Sequence, residues 1–199
     1  MTESGRVVLR TDDLTTASYP LLTSLVVPRP IAWVSSVSAD GIGNLAPHSF
    51  FTVVSTRPPM VAFTSVGSKD TLANVEATGE FVVNLASAPL LDQVNLSSAP
   101  YDEDTDEAVA LDIAMAPSAL VLPPRVAASP AAIECRLHQT LPLGDSVVVI
   151  GEVVAFSVDE TAMVDGHPDM SHLQPLSRLG GDEWGHPPAV FHLTRPTSV

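Results

Sequence analysis

Three short runs of β-branched, aromatic and hydroxyl residues, 31–37, 44–54 and 60–66, constrain this chain more than any other feature. Such side chains suit a pleated, half-buried surface. Ala39-Asp40-Gly41, between the first two, carries hairpin-turn residues, and Arg57-Pro58-Pro59 turns the chain into the third. Successive short strands joined by turns predict an antiparallel sheet or barrel. Pro47 interrupts the second run, because proline has no N–H to give a ladder. The prolines at 28 and 30 likewise make the segment before Ile31 a strand edge or lead-in.

Gly41-Ile-Gly43-Asn-Leu-Ala46 fits the spacing of a dinucleotide-binding fingerprint. That fingerprint needs a helix directly after it. Pro47 and the aromatic run behind it supply a strand, so the glycines read as a hairpin turn.

The third run leads into T-S-V-G-S-K-D-T-L-A-N (64–74), where Thr64, Ser65, Ser68 and Thr71 surround Gly67 and Lys69. A helical pattern follows over 70–78, with Asp70 placed as its cap and Gly79 as its stop. A strand feeding a hydroxyl-rich turn and a helix N-terminus suits an anion, because the first helical N–H groups lack internal partners. Composition sharpens this reading. Against 23 acidic residues stand 9 lysines and arginines, a net charge of −14, and Lys69 is the only lysine. That balance excludes non-specific nucleic-acid binding, which works by neutralising phosphates. An anionic ligand needs local positive potential, and Lys69 provides it.

With 199 residues, 45% of them apolar, the chain is expected to form one domain over 1–199 with a sizeable core. Cys135 is the only cysteine and lies in an apolar run, which predicts a buried, inert thiol and a reducing, cytoplasmic setting. The start M-T-E-S-G-R-V-V-L-R has no apolar leader, and no run of 18 apolar residues occurs, so no membrane partner is expected.

Elsewhere, Asp12 and Asp13 with Thr15 and Thr16 suggest a helical turn, 81–85 a strand and 89–96 a short helix. Residues 101–112 carry six acidic side chains and read as a solvated, mobile loop long enough to serve as a lid. Strands are expected over 119–122, 131–140, 146–158 and 189–193, with Gly151 as a bulge or a point of close approach. His48 and Ser49 are adjacent in a strand and face opposite ways, so they do not form a nucleophile–base pair. His167, Asp169 and His172 read as a loop rather than a metal site. Core packing is expected for at least two of Trp33, Phe50 and Phe51. Arg29, between two prolines, is either an anion partner or an edge-strand charge.

P-R-P-I-A-W-V-S-S-V (28–37), N-L-A-P-H-S-F-F (44–51), P-P-M-V-A-F (58–63), S-K-D-T-L-A-N (68–74), G-E-F-V-V-N-L (79–85), E-C-R-L (134–137), P-L-G (142–144), I-G-E-V-V (150–154) and R-L-G-G (178–181) follow one another in order. In that series the chain resembles the flavin reductase-like, FMN-binding split-barrel family, in particular its flavoredoxin-like branch, over about 15–195.

The resemblance implies a mainly β fold with short helices, an antiparallel split β-barrel, and a homodimer with FMN near the subunit interface. FAD is the alternative flavin. It implies hydride transfer from NADH or NADPH to flavin N5, with delivery of reduced flavin to a partner oxygenase as one outcome. The alternative is an FMN-bound electron carrier that does not turn over nicotinamide. A barrel without cofactor is a third reading, opposed by Lys69 and the hydroxyl set. Carried over residue by residue, Ser35 and Ser36 lie along the ribityl-phosphate side, and Ala46, Pro47, His48 and Ser49 face the ring. Ser65, Ser68, Lys69, Asp70 and Thr71 hold the phosphate region, with Asn84 and Arg178 as further contacts. No catalytic acid, base or metal is expected, because the flavin performs the redox step. Backbone N–H groups of the proline-interrupted strand are expected to stabilise negative charge at N1 and O2.

Overall fold

The computed structural model describes residues 5–14 and 18–197. Seven strands form the principal sheet: β1 (Ala32–Val37), β2 (Gly43–His48), β3 (Phe51–Thr56), β4 (Pro59–Val66), β5 (Glu80–Leu85), β6 (Ala131–Leu143) and β7 (Ser146–Val158). All pairings are antiparallel, in the order β2-β1-β5-β6-β7-β4-β3. Helix α1 (Tyr19–Leu25) precedes the sheet, α2 (Asp70–Thr78) links β4 to β5, and α3 (Leu91–Leu96) and α4 (Glu107–Ala110) follow β5.

The end strands of this order, β2 and β3, are separated in sequence by Ser49 and Phe50 alone. Three backbone steps span at most about 11 Å, so the sheet must roll until its two ends meet there. Phe50 O accepts the Thr64 N–H at 2.8 Å, and the rings of His48 and Phe63 stand 4.7 Å apart. No ladder joins β2 to β3 among the described residues, which leaves the barrel split. The second apolar run is therefore two strands, and the break falls at Ser49–Phe50 rather than at Pro47. Pro47 stays in register opposite Trp33, on the edge where a missing N–H costs no ladder bond.

One core cluster fills the rolled sheet, with Val34, Phe63, Phe81, Val75 and Val149 among its members. A second cluster lies on the other face of β1 and β2, where Trp33 and Leu45 meet Leu90 and Val94. Alternate residues of β1 feed the two clusters, so the whole strand is buried. Gly151 is both a register shift and a close approach, since a Cβ there would collide with the Phe81 ring. Trp33 and Phe51 pack in the core, while Phe50 lines a surface cleft.

Other expectations are corrected. Residues 119–122 are not a strand: Glu134 accepts the N–H groups of Ala119 and Leu120, and Glu80 that of Leu122. Residues 189–193 are exposed and irregular. Within 101–112, Asp106 caps the four-residue helix α4 and Glu107 is buried, so this segment is not simply a solvated loop. Thr11–Asp13 form a 3-10 turn; Thr15 and Thr16 lie outside the described residues. No described helix is long and apolar enough to cross a membrane.

Candidate functional site

A cleft of about 390 Å³ opens where β2 ends. Ala46, Pro47 and His48 form its floor, Ser68–Thr71 one wall, and the segment from Ser97 to Tyr101 the other. The first wall is the N-terminus of α2. Lys69 rather than Asp70 occupies the cap position, with extended backbone and no side-chain cap bond, so the first-turn N–H groups receive no oxygen from a capping side chain. Gly67 turns the chain at φ +74°, and Gly79 closes the helix at φ +75° with its N–H on Val75 O.

A buried polar chain underlies the floor. Glu107 accepts the Leu45 N–H at 2.8 Å on one oxygen and the Asn44 amide at 2.9 Å on the other. Asn44 Oδ1 accepts the Thr71 hydroxyl at 2.8 Å, and Thr71 Oγ1 lies 3.3 Å from His48 Nε2. Ser36 and Asn74 extend the network behind it. Leu45 thus sends its N–H to the outer edge of β2, and Pro47, two residues on, faces the same edge with none to send. The expectation that the proline-interrupted strand offers free backbone donors fails at these positions: Glu107 has taken the available one.

Burial is the main reason the His48 imidazole is pulled down to about 4, with the nearby Lys69 charge adding to it. The ring is therefore neutral at pH 7. Burial likewise pushes the Glu107 carboxyl above its ordinary value, against the pull of its backbone donors. Cys135 is buried, free and raised to about 12, an inert thiol.

The expected site residues divide into two groups. Ala46, Pro47, His48, Ser68, Lys69, Asp70 and Thr71 line this cleft, and Ser49 opens onto two neighbouring clefts. Ser35, Ser36, Ser65 and Asn84 do not line it, being enclosed and bonded within the protein. Ser35 donates to Pro124 O, Ser65 to Gly67 O, and Asn84 bridges Trp33 O and the Val126 N–H. Arg178 lines a separate cleft beside Trp184. His48 and Ser49 make no pair, since Ser49 faces Arg29 at 3.4 Å. Asp169 caps the short helix Met170–Leu173. Sequence reasoning missed the wall at Ser97–Tyr101 and the role of Glu107. Asp106-Glu107 before Ala108-Val109 was a readable helix start, but nothing local revealed what Glu107 would touch.

An ammonium, the hydroxyl of Ser68 and the first-turn N–H groups of α2 form a donor set suited to a phosphate. Of the three carboxylates there, Glu107 has both oxygens engaged, Asp70 sits at the first helical position, where the dipole favours it, and Glu103 is exposed to solvent, which screens its charge. Residues 24–172 match the model of the flavin reductase like domain. The chain belongs to that family. Among solved structures, nitrilotriacetate monooxygenase component B from Bacillus cereus is 30% identical, with a TM-score of 0.90 over 95% of this chain and 99% of that one. A flavin reductase of Pseudomonas putida is 30% identical across 66% of this chain and 74% of its own length. Flavoredoxin of Desulfovibrio vulgaris (Miyazaki F), 20% identical, shares the fold at a TM-score of 0.78 over 96% of this chain and 98% of its own.

Proposed function

We propose that this protein is an FMN-binding flavin reductase that uses NADH or NADPH. The observation that carries the reading is the meeting, in one cleft, of the only lysine, the uncapped start of α2 and the proline-bearing edge of β2. Lys69, Ser68 and the first-turn N–H groups would hold the FMN phosphate, whose charge of about −1.5 to −2 calls for charge-assisted bonds. Ala46, Pro47 and His48 would bear the ring. When bound, FMN supplies the redox step, taking a hydride at N5 from reduced nicotinamide.

The protein's own part is to bind, orient and shield. With His48 neutral, Lys69 is the cation of this cleft and would set the field felt by a bound flavin. Glu107, itself in the cleft lining, ties the edge of β2 to α4, the helix that follows the wall at Ser97–Tyr101. The reading includes a homodimer, a cytoplasmic setting and transfer of reduced flavin to an oxygenase partner, as the likeness to a monooxygenase component supports.

The test is an FMN titration of the purified protein, followed by anaerobic addition of NADH and then NADPH. Bleaching of bound or added flavin by either nucleotide is expected. Flavin that binds but bleaches only with a protein donor would mark an electron carrier instead. Failure to bind FMN or FAD would overturn the reading, and a monomeric mass in solution would remove the dimer.

A further inference from the structure

A second cleft, of about 230 Å³, lies across Pro47 from the first and shares only Pro47 and Ser98 with it. One guanidinium, that of Arg178, lines it, and a second, that of Arg29, lies buried behind Ser49. Arg29 and Arg178 are register partners in the antiparallel pairing of Arg29–Pro30 with Ser177–Arg178. Neither takes part in an ion pair among the described residues. In a chain with 23 acidic side chains and 9 lysines and arginines, two adjacent cations without a carboxylate are unexpected.

Arg29 by itself has a structural explanation. It is 6% exposed and donates to the carbonyls of Thr23, Val26 and Leu179, stitching α1 to the loop after Arg178. Every one of those acceptors is neutral, so its charge stays uncompensated. Burial and the neighbouring Arg178 both disfavour that charge. The Nε–H of Arg29 reaches Ser49 Oγ at 3.4 Å, which occupies a lone pair and leaves the Ser49 hydroxyl hydrogen to donate.

Arg178 has no comparable explanation. One of its five donors goes to Gly181 O at 2.7 Å, and its guanidinium carbon stands 4.6 Å from the centroid of the Trp184 ring. The Trp184 face and the bond to Gly181 O restrain the guanidinium, and a restrained, planar fork matches a carboxylate. Ile31, Pro47 and Tyr19 supply apolar and aromatic surface opposite. The cleft is smaller than the about 300–1,000 Å³ typical of drug-sized ligands, which favours an occupant of a single ring.

We propose that this second cleft binds a planar aromatic monocarboxylate, its carboxylate held by Arg178 and the Ser49 hydroxyl and its ring lying against Ile31, Pro47 and Tyr19. The proposal goes beyond the flavin reading and does not depend on it.

Calorimetric titration of the flavin-free protein with benzoate, and separately with benzamide, tests it. Benzoate binding is expected, with benzamide at least tenfold weaker because it lacks the charge. Arg178→Gln should weaken benzoate at least tenfold, with Arg178→Lys recovering part of the loss; circular dichroism checks that both variants fold. Equal binding of benzoate and benzamide by the unaltered protein would overturn the proposal whatever the variants do. So would the absence of benzoate binding at millimolar concentration, or an Arg178→Gln protein that is folded and binds benzoate unchanged. An FMN titration of the same variant separates the two clefts: loss of FMN affinity equal to the loss of benzoate affinity would assign Arg178 to the flavin and overturn the proposal. Benzoate binding by a protein that binds no flavin would sustain this proposal while sinking the flavin reading.

Discussion

Glu107 and Glu134 are both almost fully enclosed, and each takes the place of a missing neighbouring strand. Glu134 projects from β6 and accepts the N–H groups of Ala119 and Leu120 at 2.8 and 2.7 Å. Glu107 accepts the Leu45 N–H and the Asn44 amide at 2.8 and 2.9 Å. The chemistry is the same, but the connections differ. The partners of Glu134 belong to an irregular segment that touches no part of the Lys69 cleft, whereas Asn44 leads on to Thr71 and His48 in the cleft itself. One carboxylate is scaffolding; the other also holds residues that line the cleft.

This distinction can be broken or sharpened by four measurements, ordered from the largest expected effect on stability to the smallest. Glu134→Ala removes two hydrogen bonds from main-chain N–H groups to a charged acceptor and should cost roughly 4 kcal/mol, since each such bond is worth about 1.5–3 kcal/mol. Denaturant unfolding gives that figure, and FMN affinity of the folded protein should stay unchanged. A shift in FMN affinity would show that Glu134 also reaches the site.

Next comes the pH dependence contributed by His48. Its folded value of about 4 lies below the ordinary 6.5. The folded state therefore binds fewer protons than the unfolded chain in that window. This contribution is fully present above 6.5 and is lost as pH falls towards 4, by about 3 kcal/mol in total. The loss should disappear from the pH profile of His48→Asn. Glu107, whose carboxyl is raised, runs the other way, weakening stability as pH climbs above 4.5 towards its folded value.

Glu107→Ala should cost less than Glu134→Ala, about 2 kcal/mol, because burial already works against its charge. It should also weaken FMN about tenfold by freeing Asn44, and through it Thr71 and His48, in the cleft, an effect worth about 1.4 kcal/mol. Identical FMN affinities for the two alanine variants would erase the contrast drawn between the two carboxylates. Lys69→Ala should leave stability within about 0.5 kcal/mol, as an exposed side chain does, yet weaken FMN by about 1–3 kcal/mol, the scale of a charge-assisted hydrogen bond. Unchanged FMN affinity there would remove the phosphate from this cleft.

Much of the fold was readable because strand periodicity, turn residues and proline act locally. The runs at 31–37 and 60–66, the turn at Gly41, the helix after Lys69 and its stop at Gly79 all rest on a few adjacent residues. Errors came where a distant group decided the outcome. The segment 119–122 has strand-like composition, but its donors are claimed by Glu134 and Glu80 from other elements. The break at Ser49–Phe50 follows from the closing of the barrel, since the same chain must serve both ends of the sheet.

The candidate site shows the same division. By itself the sequence determined that a lone lysine would stand at a hydroxyl-rich turn before a helix, because capping and turn chemistry span only a few residues. Which of the hydroxyls face outward was decided by tertiary structure: Ser65 and Thr71 bond inward, and Ser68 does not. The acidic run 101–112 could be read as charge, but only the folded chain turns Glu107 inward onto Asn44, 63 positions away in sequence. The pairing of Arg29 with Arg178 across 149 positions, by the difference of their numbers, was likewise invisible in the linear chain. Local chemistry fixes the turns and caps; which charges meet, and which remain without a partner, depends on how the sheet rolls.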